Sequence, residues 1–500
     1  MDIHVHHGPI QTTAADAIVV NLFQGVTHLG GATGAVDAAL GGQISAVIGS
    51  GDFKGKLGET LVLYGRGVIP ASRVIVVGLG KAEEFILDTV RCAAAAAALA
   101  ARKLGARSLA TIVHRARGDQ LDLAAEAQAL VEGTLLALYE FKIYKTQGDE
   151  TPSQVEYLTV VETDSDRLEA ISSGIVAGEA VAAGVILARD LANHPGNVAT
   201  PTYLANQAVA LAERHGMRVE VWDADRMRAE GMGAFLSVSA GSAEPPKFII
   251  VEYAPTGDAV LSPHVLVGKG VTFDTGGISL KPGAKMGDMK FDMAGAAAVL
   301  GTMEAVGRLS LNRRIVGLIG ATENMPGGKA TKPGDIVRTL TGATVEIVNT
   351  DAEGRMVLAD LLGFARRLQP AAVVDLATLT GAIVVALGSQ YAGLFANDDA
   401  LASALQVAGE ATGEPLWRMP LGKRYDDIVK SKVADMANLA PGSPVPAGAV
   451  NGAKFLERFV QYPWAHLDIA ATAWDAKDIS YIPEGATGFG VRLLVQWLRA

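Results

Sequence analysis

Residues 345–361 read VEIVNTDAEGRMVLADL. Val345–Val348 is a short β-branched run and predicts a strand. From Met356 onward apolar residues recur at helical spacing, which predicts a helix over Met356–Leu368. A strand that passes through a short polar turn into a helix is the repeating unit of α/β folds. The same alternation continues outward from this stretch. Downstream, Ala372–Leu376 reads as a strand. Upstream come strands Arg218–Trp222, Lys247–Tyr253 and His264–Gly268, the small-residue helix Ala294–Val306, and strand Arg314–Gly320. Short apolar runs separated by helices predict a mostly parallel sheet covered by helices on both faces. The first third repeats the pattern. Ala17–Phe23, Thr60–Tyr64, Arg73–Val77, Ala110–His114 and Val155–Val161 read as strands, and Thr89–Leu104 and Leu121–Tyr139 as helices. Polar Tyr144–Ser153 reads as a linker or exposed loop. Ser165–Leu191 reads as one long helix, ended by the cluster Asn193, Pro195, Asn197 and Pro201. The expected organisation is an N-terminal α/β domain over 1–164, a connecting helix over 165–192, and a C-terminal α/β domain over 193–500.

The 500 residues include 43 Lys+Arg and 53 Asp+Glu, a formal net charge of −10, with 49% hydrophobic residues. That is ample material for a large core, and the composition is far from that of a disordered chain. An acidic balance argues against sequence-independent DNA binding, which needs a basic surface; a local basic patch keeps nucleic acid open as a minor partner. Cys92 is the single cysteine, so an intrachain disulfide and a Cys-based metal site are excluded. This fits a reducing, cytoplasmic setting. The start, MDIHVHHGPI, has neither a basic nor an apolar signal region. Leu376–Asn397 and Cys92–Ala101 are the stretches checked for membrane spans; neither supplies about 20 apolar residues, and the expectation is a soluble protein with no membrane partner.

Three segments carry candidate chemistry. In Gly268–Gly277, GKGVTFDTGG, a glycine-rich turn is expected to follow the His264–Gly268 strand and to present Lys269 and Asp274 at a strand's carboxyl end, where open α/β sheets place ligands. In Ile278–Gly295, ISLKPGAKMGDMKFDMAG, charged residues crowd a Gly/Pro/Met-rich loop, and Asp292 directly precedes a helix. In Asn349–Leu361, Asp351, Glu353 and Arg355 follow at steps of two, so an extended chain would place all three on one face. Adjacent carboxylates repel unless a cation lies between them. Asp274, Asp292, Asp351 and Glu353 together suit hard or borderline divalent cations, and two such ions balance four carboxylates, as in two-metal hydrolytic centres. Arg355 beside a helix N-terminus suits an anion. Each segment also has a plainer reading, as a glycine turn, a solvated charge run or an acidic helix cap; for the third the run of same-face polar groups favours function.

Other motifs point less far. There is no GxxxxGK[ST] loop and no Gx-Ser-xG elbow. Gly78–Leu79–Gly80 is half a dinucleotide fingerprint, with Glu83 where the third glycine belongs. His4, His6 and His7 look metal-like but lie in an N-terminal strand pattern.

NTDAEGR with its following helix resembles the signature of the leucyl aminopeptidase family, also called cytosol aminopeptidases. GKGVTFDTGG, SLKP and MKFDMAG match that family's other active-site segments in the same order. Ala321–Asp335 (ATENMPGGKATKPGD), Asp375–Ala382 (DLATLTGA) and Trp464–Ala470 (WAHLDIA) extend the resemblance from about Asn193 to the C-terminus. Met356 stands where Leu is the more usual residue.

The resemblance implies a smaller N-terminal α/β domain and a larger C-terminal catalytic domain around a mixed, mostly parallel sheet, assembled as a homohexamer that acts on peptides with a free N-terminus and prefers Leu and other apolar residues. It implies two divalent ions per subunit, Zn2+ or Mn2+ with Mg2+ or Co2+ as alternatives: Asp274 and Glu353 bridge, Lys269 and Asp292 hold one ion, and Asp351 the other. Lys281 and Arg355 are the implied catalytic residues that do not bind metal, with Arg355 holding a bicarbonate that acts as base. Met289, Thr378, Gly381 and Ala470 match the family's apolar side-chain pocket. The chemistry is coherent: a water shared by two cations loses a proton readily and attacks the scissile carbonyl, while Lys281 stabilises the growing oxyanion. Lys269 can ligate only as the neutral amine, so bound dications must lower its pKa. A phosphoesterase would need more cations than Lys281 and Arg355. The alternative from another class is an aminopeptidase with a second role as a DNA-binding regulator, for which Arg102, Lys103, Arg107, Arg115 and Arg117 are the clustered cations of the N-terminal domain.

Overall fold

The structure is a computed structural model and describes residues 1–116, 121–147, 154–255, 261–440, 446–475 and 479–500. Two compact units result: Met1–Ala182 with Asp478–Pro483, and Ala183–Lys477 with Glu484–Ala500. The division falls inside the helix Leu168–Asn193.

The first unit holds six strands, β1 (Asp2–His7), β2 (Ala17–Leu22), β3 (Thr60–Tyr64), β4 (Arg73–Gly78), β5 (Ser108–Thr111) and β6 (Tyr157–Glu162), in the order β1-β6-β5-β2-β4-β3. All neighbours are parallel except β3 and β4. Alternation of side chains along β2 and β4 supplies both faces. Val19, Ile75 and Val77 pack with Ala94 and Leu130, whereas Ile18, Val20, Val74 and Val76 pack with Val36 and Ile44. The Ala-rich helix Leu87–Lys103 lies so close to helix Leu123–Ala137 that a Cβ on Gly133 would stand 2.3 Å from the Arg91 carbonyl oxygen. Arg91 Nε meets Glu132 at 2.6 Å between them, both side chains buried. β5 ends at Thr111, three residues before the end of the expected Ala110–His114 strand. The half-fingerprint at Gly78 has a packing cause: a Cβ there would lie 2.0 Å from the Lys56 carbonyl oxygen. The expected linker Tyr144–Ser153 lies partly outside the described residues.

The second unit is built on an eight-stranded sheet. Its strands are β7 (Arg218–Trp222), β8 (Lys247–Tyr253), β9 (His264–Asp274), β10 (Ile315–Asn324), β13 (Ala372–Ala377), β14 (Ala392–Ala396), β15 (Leu416–Arg418) and β17 (Trp464–Asp468), in the order β15-β14-β17-β13-β9-β10-β8-β7. The central four, β17, β13, β9 and β10, are mutually parallel; the sheet as a whole is mixed. Helices cover both faces. Val299 of helix Ala294–Leu309 sits over Gly317, and Val357 of helix Gly354–Ala365 sits over Gly320 on the opposite face. A separate small sheet joins β11 (Ile336–Arg338), β12 (Thr344–Glu346) and β16 (Met436–Ala437).

Two expectations are corrected. The strand expected over His264–Gly268 continues to Asp274, so Gly268 and Gly270 lie inside β9. The reason is close packing: a Cβ on Gly268 would approach Ala296 Cα to 2.7 Å. The turn comes later, at Gly276 and Gly277, whose φ of 84° and 66° suits glycine. The Val345–Val348 strand ends at Glu346 and belongs to the small sheet, not the main one.

Among the described residues one helix, Ser165–Asn193, is long and apolar enough to cross a membrane. The most apolar part of it is 56% buried within the protein, as in a core helix.

Candidate metal centre

Asp274 closes β9, Asn324 closes β10, Asp468 closes β17, and Thr378 follows β13 directly. Because the four strands are parallel, these residues share one edge of the sheet. β10 lies on one side of β9 and β13 on the other, so the order of connection reverses between β9 and β13, where α/β sheets open a crevice for ligands.

Lys269 reaches this edge from within β9. Its Nζ lies 2.8 Å from Asp292 Oδ1 and 2.8 Å from Glu353 Oε1, and it donates to the Thr378 carbonyl oxygen at 2.9 Å. The residue after Glu353 must be small for this: a Cβ on Gly354 would stand 2.7 Å from Lys269 Cε. Thr378 Oγ1 donates to Asp292 Oδ1 at 2.7 Å. Asp274 Oδ1 accepts from the Gly276 amide and from Asn324 Nδ2, each at 2.8 Å, and Lys281 Nζ lies 2.7 Å from Asp274 Oδ2. Lys281 also pairs with Asp351. Asp274, Asp351 and Glu353 each offer an oxygen, all within 4.8 Å of one another.

Asp351, Glu353 and Arg355 do not share the one face of an extended chain that their spacing predicts. Asp351 sits in a turn, Glu353 has helical φ and ψ of −76° and −38°, and Arg355 lies in the first turn of a helix that starts at Gly354. The turn, not an extended strand, brings Asp351 and Glu353 to Asp274. Arg355 departs from them: its Nη1 donates to the Asn438 carbonyl oxygen at 2.6 Å and to Asn451 Oδ1 at 2.8 Å.

Burial sets the electrostatics. It raises the carboxyl pKa values of Asp292, Asp351 and Glu353, with Asp274 adding to the shift in each and the lysines opposing it. Burial also works against charge on Lys269 and Lys281, but the surrounding carboxylates outweigh it and hold both ammonium groups above the ordinary range. Arg355 is pushed down to about 10 by burial, against the pull of Glu353 and Asp468. The two lysines offset half of the four carboxylates. Asp292 Oδ2 is buried without a hydrogen-bond partner among the described residues. An all-oxygen acidic cluster with an unpaired buried oxygen fits divalent cations.

The expected pocket residues stand in several places. Met289 lies in the short 3-10 helix Met286–Phe291, and Thr378 braces Asp292. Gly381 opens the helix Gly381–Leu387, and Ala470 packs against a small cluster of Ile383, Phe395 and Ala449. The small cavity beside Glu353 is lined by others, including Val238, Gly277, Met356 and Asn438. Residue-type reasoning missed Asn324, Asn438, Asn451 and Asp468. Asn324 and Asp468 lie in the quoted ATEN and WAHLD segments; Asn438 and Asn451 have no local sequence signal.

Elsewhere, His4 and His7 bond to Thr159 and to the Thr163 carbonyl at the β1–β6 edge, and the acidic triad is the one His/Cys/Asp/Glu group with metal-binding spacing among the described residues. Three of the clustered cations of the first unit face acids: Arg102 pairs with Glu140, Arg107 with Glu156 and Arg115 with Glu126. Arg117 lies outside the described residues.

Comparison with known proteins covers nearly the whole chain. The sequence profile of the cytosol aminopeptidase family catalytic domain matches residues 186–495, and that of the family's N-terminal domain matches residues 19–148. A probable cytosol aminopeptidase of Geotalea uraniireducens is 49% identical over 470 residues, covering 93% of this chain and 92% of its own. One from Roseiflexus castenholzii is 47% identical, covering 100% and 99%. Among solved structures, a mutant of tomato leucine aminopeptidase superposes with a TM-score of 0.89 at 34% identity, covering 100% of this chain and 96% of that one. The bottromycin maturation enzyme BotP in complex with Mn gives a TM-score of 0.84 at 37% identity, covering 97% and 99%.

Proposed function

This chain belongs to the cytosol aminopeptidase family of metal-dependent peptidases, and from that premise we propose that it releases N-terminal Leu and other apolar residues from peptides at a two-metal centre. The observation that carries this reading is the convergence of Asp274, Asp351 and Glu353, with Asp292 beside them presenting a buried oxygen that has no partner among the described residues. Asp274, Asp351 and Glu353, with Lys269 and Asp292 beside them, would hold two divalent ions. Zn2+ and Mn2+ are the first candidates, then Mg2+ and Co2+. When bound, such ions supply an acidified water and a Lewis acid for the carbonyl.

The chain's own groups do the rest. Lys281, paired with Asp274 and Asp351, would stabilise negative charge growing on the scissile carbonyl oxygen. Lys269 must give up its proton to ligate. Arg355 cannot bind a cation; it would hold bicarbonate as the base. Met289, Thr378, Gly381 and Ala470 would receive the apolar side chain, and the substrate's free amine would be selected because it binds as a neutral metal ligand. The same reading makes the protein a cytoplasmic homohexamer. Family resemblance supports the assembly, and the single cysteine is consistent with that compartment.

The test is hydrolysis of leucine p-nitroanilide and its N-acetyl counterpart, with and without chelator. Only the substrate with a free amine should be hydrolysed to p-nitroaniline, and chelation should abolish the hydrolysis. Equal cleavage of both substrates would refute the exopeptidase reading.

A further inference from the structure

We propose that Asn438 is a positioning residue that clamps the turn carrying Asp351 and Glu353 and ties it to Arg355. Between the end of β12 at Glu346 and the helix start at Gly354, the backbone belongs to no ladder or helix. Buried amides and carbonyls in such a stretch need partners from elsewhere. Asn438, 1% exposed and directly after β16, supplies them. Its amide donates to the Glu346 carbonyl oxygen at 2.9 Å. Its Oδ1 accepts from the Val348 amide at 2.8 Å and the Asn349 amide at 3.4 Å. Its Nδ2 donates to the Asn349 carbonyl oxygen at 2.7 Å and, more weakly, to that of Ala352 at 3.5 Å. Its own carbonyl oxygen accepts from Arg355 Nη1 at 2.6 Å.

One side chain therefore holds the backbone before Asp351 and the residue between Asp351 and Glu353, while its main chain holds Arg355. The opposite flank of the turn is fixed separately: Thr350 Oγ1 donates to the Gly276 carbonyl oxygen at 2.6 Å, and Asn324 Nδ2 donates to the Thr350 carbonyl oxygen at 3.0 Å. With that flank anchored to the Asp274 turn, Asn438 determines the distance from Asp351 and Glu353 to Asp274. A hydrophobic residue could fill the space but could not satisfy donors and acceptors on both sides of the turn. Partners behind metal ligands typically change metal affinity by roughly 10- to 100-fold.

The inference rests on Asp351 and Glu353 being metal ligands, and the test separates the two claims. Metal-free wild type, Asn438→Asp and Asn438→Ser are titrated with Mn2+ by calorimetry, alongside thermal unfolding and steady-state kinetics. Asn438→Asp keeps the acceptor but sets an oxygen against the Asn349 and Ala352 carbonyls; Asn438→Ser withdraws both functions. Each variant should bind Mn2+ roughly 10- to 100-fold more weakly, with kcat partly restored by excess Mn2+ and KM little changed. A merely structural role would lower the unfolding temperature and leave Mn2+ affinity intact. The wild-type chain gives a readout that needs no variant: adding Mn2+ should slow hydrogen exchange at the Val348 amide. Unchanged affinity in the folded variants, or Val348 exchange indifferent to Mn2+, overturns the role of Asn438. Wild type that binds no Mn2+ overturns the ligand assignment instead.

Discussion

Replacing Gly295 by alanine should damage the centre through the sheet, although Gly295 touches no candidate metal. A Cβ there would lie 2.1 Å from the Leu376 carbonyl oxygen and 3.0 Å from the Lys269 amide nitrogen. Ordinary carbon contacts need roughly 3.5–4.0 Å, so the helix Ala294–Leu309 must move from β13 by more than about 1 Å. Neither obstructing atom is the end of a flexible side chain. Asp292 lies three residues before Gly295, and Thr378 two residues after Leu376, so the displacement pulls directly on the Lys269–Asp292–Thr378 contacts. Overpacking of this kind costs roughly 1–3 kcal/mol, and a misplacement of about 1 Å at reacting groups can cost roughly 100-fold in rate. The assay is thermal unfolding, Mn2+ titration and kcat on leucine p-nitroanilide for Gly295→Ala. Gly49→Ala is the control, because a Cβ there meets nothing within 4 Å. Wild-type unfolding temperature, affinity and rate in Gly295→Ala would refute the claim that helix-to-sheet approach sets the centre's geometry.

Arg355→Ala should lower kcat by roughly 100- to 10,000-fold, keep its metals and regain some activity with added bicarbonate; metal loss would make Arg355 a structural prop. Asp360 accepts the Leu340 amide on Oδ1 at 2.7 Å and the Phe235 amide on Oδ2 at 2.9 Å. Asp360→Asn leaves one of these unmatched and should cost about 1–3 kcal/mol in urea unfolding at pH 8, above the value of about 7 to which burial pushes this carboxyl. His466 Nδ1 lies 2.6 Å from Asp375 Oδ1; burial opposes its charge, but Asp375 and Asp468 outweigh burial and raise its pKa. A raised histidine contributes stability fully below about pH 6.5 and loses it as pH climbs through the folded value, so the stability difference between wild type and Asp375→Asn should shrink over that rise in urea unfolding; a constant difference would contradict it.

The architecture was legible because hydrophobic periodicity is local: β-branched runs and small-residue helices announce themselves within a few residues. Asp274, Asp292, Asp351 and Glu353 stand out as candidates in the sequence because carboxylates crowded into glycine-rich turns are costly without a cation. Other features depend on partners far along the chain. Gly268 and Gly270 resemble turn glycines in sequence, yet Ala296 packs against them and β9 runs on to Asp274. Residues 345–348 carry a strand pattern, but β12 pairs with Ile336–Arg338 and Met436–Ala437 rather than with the main sheet. The same long-range pairing hid Asn438 and Asn451, whose work is hydrogen bonding to residues more than 80 positions away. Periodicity also cannot state which way a turn points, so Arg355 was grouped with Asp351 and Glu353 although it faces Asn438.

Four carboxylates and Lys269 are proposed to hold two catalytic divalent ions. Metal content per chain, measured by elemental analysis together with kcat on the same samples, tests this most directly. Wild type loaded with Mn2+ or Zn2+ should carry two ions and be active. Asp351→Asn and Glu353→Gln should each lose metal and rate together, and stripped wild type should be inactive until metal is returned. Full activity in verified metal-free protein, or two ions and normal turnover in either variant, would contradict the account.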